Sequence, residues 1–147
     1  MVVDQNFHKV KKYFLLVIFF LLFASKSFSN NYTFTKIIEL DEPWGSSFIN
    51  NNEIIITEKS GKIKIVNIVS KEVTEIKHNL NFLEVGQGGL LDIIHQDNIL
   101  WISYSEDRGN SKTSTSIAKA QLNKQELDFK NIFQANPPID SGYHFGS

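Results

Sequence analysis

Glu53-Ile54-Ile55-Ile56-Thr57-Glu58-Lys59-Ser60-Gly61-Lys62-Ile63-Lys64-Ile65-Val66-Asn67 is the stretch that decides the fold class. Three consecutive isoleucines between glutamates suit a strand buried at its centre, because β-branched side chains pack well on a pleated surface. Ser60-Gly61 supplies a tight turn. From Lys62 to Asn67 apolar and polar residues alternate with period two, giving one wet face and one dry face. Two short strands joined in this way form an antiparallel hairpin.

The same pattern extends in both directions. Upstream, Asn50-Asn51-Asn52 is a strong turn signal and residues 46–49 form a short strand. Asp41-Glu42-Pro43-Trp44-Gly45 reads as a turn, and residues 32–40 alternate loosely, as a half-buried strand does. Downstream, Ser70-Lys71 turns the chain and residues 72–77 alternate again. A second set of four follows: a strand at 90–94, a turn at Gln96-Asp97-Asn98, an apolar strand at 99–105, a polar loop at 106–112, a strand at 113–122, a turn at Asn123-Lys124-Gln125, and a strand at 127–134. No stretch keeps a 3.6-residue period over three turns. Two successive four-strand meanders predict an all-β chain made of two β-propeller blades. A third unit is expected to begin after Pro137-Pro138. Two blades leave long unpaired edges and cannot close a ring, so residues 30–147 are expected to be the N-terminal part of a truncated propeller domain.

Composition narrows the function classes. With 147 residues the chain has room for one domain at most. Its net charge of −1 and single arginine, Arg108, argue against a nucleic-acid surface or a phosphate clamp. The absence of cysteine excludes disulfides, thiol catalysis and Cys-ligated metals. His8, Lys9, Lys11 and Lys12 form a basic patch, an apolar run follows from Tyr13 to Ala24, and Ser27-Phe28-Ser29 places small residues where a signal peptidase reads. This is the tripartite pattern of a secretory signal, with a core too short for a comfortable membrane span. Residues 1–29 are therefore expected to be removed, leaving a periplasmic or secreted product with no membrane span; an uncleaved N-terminal anchor is the alternative. Taking four lysines and one aspartate from 15 basic and 16 acidic residues leaves 11 and 15, net −4.

Two stretches stand out as carriers of chemistry. Gly86-Gln87-Gly88-Gly89 runs straight into the apolar strand Leu90-Leu91-Asp92-Ile93-Ile94. Glycines let a visitor approach the main chain closely, and a carboxamide offers both a donor and an acceptor. Gly142-Tyr143-His144-Phe145-Gly146 places a histidine between glycines. The two stretches together suggest part of a cofactor or substrate site.

The chain resembles the glucose/sorbosone dehydrogenases, soluble sugar dehydrogenases that use pyrroloquinoline quinone (PQQ). The resemblance rests on Pro43-Trp44-Gly45, on Ile56-Thr57-Glu58 with Gly61, on Gly86-Gln87-Gly88-Gly89-Leu90-Leu91-Asp92, on Trp101-Ile102-Ser103-Tyr104-Ser105 and on His144-Phe145-Gly146, in that order over roughly residues 37–147. It implies a six-bladed propeller, of which this chain holds about two blades and the start of a third. It implies that His144 is a general base taking a hydroxyl proton as hydride passes to PQQ, and that Gln87 binds cofactor or substrate. The implied partners are a sugar or alcohol substrate and an external electron acceptor. Calcium is implied as well, with its ligands, like the cations that pair with the quinone carboxylates, in later blades. The piece alone is expected to be inactive.

Plainer readings accompany these. The glycine stretch taken alone is a tight turn; it faintly resembles a phosphate loop, but no helix pattern follows. His144 taken alone is a loop histidine near a chain end. His78 and His95 read as structural, and with His144 they lack metal-motif spacing, so no metal ligands are assigned. Trp44 and Trp101 read as core or blade-packing residues. Asp92 inside an apolar strand needs partners and is expected to bond loop amides. Glu106-Asp107 with Asp140 offers a calcium alternative to a solvated acidic loop. Asn31-Tyr32-Thr33 matches a glycosylation sequon. Two other functions compete with the dehydrogenase: a secreted propeller that binds partners or glycans without catalysis, and a calcium-dependent lactonase-like hydrolase. Cations in later blades would favour the dehydrogenase, and acidic channel residues the hydrolase.

Overall fold

A computed structural model describes Phe14 and residues 32–146. The chain divides into two units, Met1–Thr35 and Lys36–Ser147, and all named strands belong to the second. The expected export signal at residues 1–29 lies, Phe14 apart, outside the described residues. No helix of the described residues is long and apolar enough to cross a membrane.

The first meander comprises β1 (Pro43–Phe48), β2 (Glu53–Glu58), β3 (Ile63–Asn67) and β4 (Val73–His78), each antiparallel to the one before. The second begins with β5 (Leu90–Gln96), β6 (Ile99–Asp107) and β7 (Thr113–Gln121). The single strand expected at 127–134 is divided. β8 (Glu126–Leu127) adds in parallel to β4, and β9 (Lys130–Gln134) pairs with β7. The division follows from Leu127 and Phe129, which are buried and belong to the core between the sheets. Asn79 holds the crossing: its Oδ1 accepts from Phe129 N at 2.8 Å, and its Nδ2 donates to Asp128 Oδ1 at 2.7 Å and to Phe129 O at 3.2 Å. The edge of β4 is thereby covered.

The hairpin of β2 and β3 matches its sequence pattern. Ile55, Ile63 and Ile65 point into the core, where they join Leu90, Ile93 and Ile102 of the second sheet. Two four-strand antiparallel meanders packed through one apolar face are two propeller blades. After β9 the chain makes one bridge, Thr113 to Ile139, and no strand within residues 135–146.

Three expectations are corrected. Residues 32–40 form no strand, and Phe34 is 96% exposed. Strand propensity has no effect there because no neighbouring strand among the described residues offers hydrogen bonds or a packing face. Pro43-Trp44-Gly45 is not a turn but the start of β1, with a register shift between Pro43 and Ser46. Proline is tolerated because β1 is an edge strand. Gly45 serves close approach: a Cβ there would sit 2.6 Å from Asp92 Cα on β5. The Thr57 hydroxyl fastens this contact, donating to Leu91 O and accepting from Gly45 N at 3.0 Å.

Glu106 and Asp107, expected in a polar loop, instead extend β6 opposite Ser114 and Thr113. The Glu106 carboxylate is buried and accepts from Ser116 Oγ (2.6 Å), Asn131 Nδ2 (2.9 Å) and Gln134 Nε2 (2.7 and 2.8 Å). These bonds make its burial tolerable and tie β9, exposed along its length, to the middle of the sheet. The Tyr104 hydroxyl donates to Asn131 Oδ1; burial, and then the Glu106 charge, pushes its pKa up.

Glu58 is fully buried, with Oε1 accepting from Asp41 N at 2.8 Å and from Lys64 Nζ at 2.7 Å. Burial alone raises its pKa, but the Lys64 bond, then the Asp41 amide, outweigh it and hold the pKa below the ordinary 4.5. A lowered folded-state pKa means the ionised group stabilises the fold above the ordinary carboxylate value, and that contribution is lost as pH falls through the folded pKa. Glu58→Gln should therefore lower stability at neutral pH and flatten the fall in stability below about pH 4.5. Denaturant unfolding of both forms across that range measures it, and parallel pH profiles would contradict it.

Candidate functional site

The glycine turn follows β4 and precedes β5. Gly86 has φ +57°, a region open to glycine at little cost, and a Cβ on it would lie 2.3 Å from Gly142 O. Gly88 N donates to Val85 O at 2.7 Å, closing the turn. The end of the described chain comes back onto it: Gln87 N donates to Gly142 O at 2.7 Å, and His144 N donates to Gln87 Oε1 at 3.4 Å, a long bond. Gln87 and His144, separated by 57 positions, are thus brought together.

Both side chains are exposed. Gln87 spends its Oε1 on the His144 amide, and its Nε2 makes no hydrogen bond among the described residues. His144 has φ +70°, a left-handed conformation uncommon outside glycine and enriched at functional positions. The two glycines flanking it differ in their surroundings. Gly142 is a packing residue, since a Cβ on it would come 3.1 Å from Gly86 Cα, whereas Gly146 has open space around it.

The other histidines stand apart from the pair. His78 contacts Gly61 O through Nε2 at 2.7 Å and accepts from Leu80 N through Nδ1 at 3.2 Å, so its proton sits on Nε2. His95 lies on β5, its amide donating to Ser47 Oγ at 3.0 Å while its Nε2 is buried with no partner among the described residues. Asp92 bonds a strand amide, that of Ile93, rather than a loop. Trp44, read as a packing residue, is 46% exposed because its strand is the sheet edge. Trp101 is half-buried with the Lys119 ammonium 5.6 Å from its ring centre, a cation–π contact. The Glu106-Asp107-Asp140 calcium alternative fails: Glu106 is spent on the β9 network, and no group of three metal-ligating side chains occurs among the described residues. An open groove of about 870 Å³ between Asp97, Lys119, Asn123 and Lys130 is lined by neither Gln87 nor His144.

Sequence reasoning missed the support beneath the pair. Ser105, fully buried, donates its hydroxyl to Leu83 O at 2.6 Å, and Thr113, also fully buried, donates its hydroxyl to Ser141 O at 3.3 Å. The available signal was a small polar residue closing the apolar run Trp101-Ile102-Ser103-Tyr104-Ser105.

Two meanders in this arrangement define blades of a β-propeller, with the glutamine turn and the returning histidine segment at one place on them. A family model described as Glucose / Sorbosone dehydrogenase matches residues 40–147, and the chain belongs to that family. Aldose sugar dehydrogenase YliI of Escherichia coli (strain K12) is 28% identical over 117 residues, which is 74% of this chain and 32% of that protein. The soluble aldose sugar dehydrogenase from Escherichia coli, solved in the apo-form, superposes with a TM-score of 0.67 at 29% identity, covering 73% of this chain and 33% of that one. The PQQ-bound aldose sugar dehydrogenase from Streptomyces coelicolor shares the fold, with a TM-score of 0.58 at 18% identity over 67% of this chain and 32% of that one. The chain thus spans about a third of the length of these relatives.

Proposed function

We propose that this chain supplies Gln87 and His144 to the site of a PQQ-dependent dehydrogenase that oxidises a sugar or alcohol hydroxyl. The observation that carries the reading is the meeting of the Gln87 carboxamide with the His144 backbone amide, the histidine being held in the left-handed region. The residues present fit one edge of such a ligand. The Gln87 Nε2 has no protein partner among the described residues and can donate to a quinone or substrate oxygen. The His144 imidazole is exposed, as contact with an incoming hydroxyl requires.

When bound, PQQ supplies the hydride acceptor that no amino-acid side chain provides. His144 would take the hydroxyl proton onto an unprotonated ring nitrogen as the carbon gives up hydride and becomes a carbonyl. Gln87 orients the oxygen beside it. Lys59, whose carbonyl accepts from Leu90 N at 3.3 Å, has its ammonium 3.8 Å from Glu42 and 4.0 Å from Glu84, so it is committed to those carboxylates. Cations for the quinone carboxylates, any calcium ligands and the contacts to an external electron acceptor are assigned outside the described residues, and turnover by this chain alone is not expected.

The test is a graft. Residues 30–147 replace the matching segment of the E. coli aldose sugar dehydrogenase, PQQ is added, and sugar-dependent quinone reduction is followed in a single turnover. Reduction in the graft is the expected result. A folded, PQQ-loaded graft that sugar does not reduce would overturn the reading.

A further inference from the structure

Ser105 and Thr113 lie on adjacent strands, and their register puts both side chains on one face of the second sheet: Ser105 is opposite Thr115, and Thr113 opposite Asp107. Both are fully buried, a costly setting for hydroxyls without partners. Neither hydroxyl bonds its own sheet partner. Each reaches a segment that carries a site residue.

Ser105 brackets the glutamine turn. Its carbonyl accepts from Leu83 N at 3.0 Å and its hydroxyl donates to Leu83 O at 2.6 Å, just before the turn. Its amide donates to Gly89 O at 2.9 Å, just after it, with the hydroxyl a further 3.3 Å contact to the same oxygen. Gly88, next to Gln87, is wedged on the same residue: a Cβ there would lie 2.8 Å from Ser105 Oγ and 2.9 Å from the Phe145 ring. Ser105, Gly88 and the neighbour of His144 are therefore packed in series.

Thr113 does the same for the returning segment. Its amide and carbonyl exchange 2.9 Å bonds with Ile139, and its hydroxyl donates to Ser141 O at 3.3 Å. The next residue, Gly142, receives the Gln87 amide. We propose that Ser105 and Thr113 are positioning residues of the Gln87–His144 pair, one setting the glutamine turn and the other the approach to the histidine. The inference rests on the dehydrogenase reading for its functional meaning and on the geometry alone for its structural content.

Amide hydrogen exchange of the full 147-residue chain, followed by NMR, tests it. Ser105→Ala keeps both backbone links to the turn and removes the hydroxyl, so the Gln87 amide should exchange about tenfold faster while Ile55 and Ile102 in the core are unchanged. Thr113→Val, nearly isosteric, should speed the Gln87 and His144 amides in the same way. Ser116→Ala removes another fully buried hydroxyl, bonded to Glu106, and should leave both amides unmoved. If Ser105→Ala does not fold, Thr113→Val decides. Unchanged exchange at Gln87, or an equal rise at every amide, would overturn the inference. In the graft, Ser105→Ala should lower kcat about tenfold and Ser116→Ala should not. The exchange pattern needs no cofactor, so a graft inactive even with all native residues would remove the dehydrogenase reading while the clamp stood.

Discussion

His144→Ala in the grafted, PQQ-loaded enzyme is expected to slow sugar-dependent quinone reduction by ~10²–10⁴-fold, the usual cost of removing a general base. Cofactor affinity should be largely unchanged, because the backbone links that hold this segment to the turn and to β7, Gln87 N to Gly142 O and Thr113 to Ile139, involve no imidazole atom. Gln87→Ala provides the contrast. The turn should survive, since the Gln87 amide, not its side chain, bonds Gly142. What is lost is the carboxamide and its long contact to His144 N, so the expected penalty is that of one hydrogen bond covered by the bound ligand, ~1–3 kcal/mol, in orienting cofactor or substrate. Single-turnover rates and PQQ titrations on the two variants separate these effects. Reduction at the unmodified rate in His144→Ala would make the histidine structural.

The second large effect is on stability. Gly45→Ala would put a methyl group 2.6 Å from Asp92 Cα, 2.7 Å from Leu91 O and 2.8 Å from Ile93 N, all backbone atoms of β5. Backbone cannot swing aside as a flexible side chain does, so β1 and β5 must separate and the Thr57 bond to Leu91 O must stretch or break. Overpacking of this kind costs ~1–3 kcal/mol or more. Gly146→Ala is the control, because its added carbon has nothing within 4 Å. Urea unfolding midpoints should fall sharply for the first variant and stay level for the second. Equal midpoints would mean that β1 and β5 are not held in this contact.

The residues that sequence reading placed well are those whose signal is local. β2 and β3 alternate within themselves and are joined by Ser60-Gly61, so their pattern needs no distant partner to be legible. The glycine turn and His144 stood out for a similar reason, glycines next to a polar side chain, together with the family resemblance in the order of motifs along the chain. Where the signal depended on neighbours, it misled. Residues 32–40 have strand-like composition and no strand beside them among the described residues. Pro43-Trp44-Gly45 carries turn residues that serve an edge strand pressed against β5. Residues 127–134 read as one strand but divide, because Leu127 and Phe129 are drawn into the core and Asn79, some fifty positions away, holds the crossing.

Periodicity and turn residues were sufficient to determine an all-β chain of two meanders, and glycine-rich motifs with the family resemblance singled out Gln87 and His144. Tertiary structure alone decided that these two residues meet, and that buried hydroxyls hold them. Ser105 finds its acceptors 22 and 16 positions away, and Thr113 finds its own 28 away. A hydrogen bond between distant segments leaves no period in the sequence, because it is specified by where folding brings a carbonyl and not by which residues lie alongside.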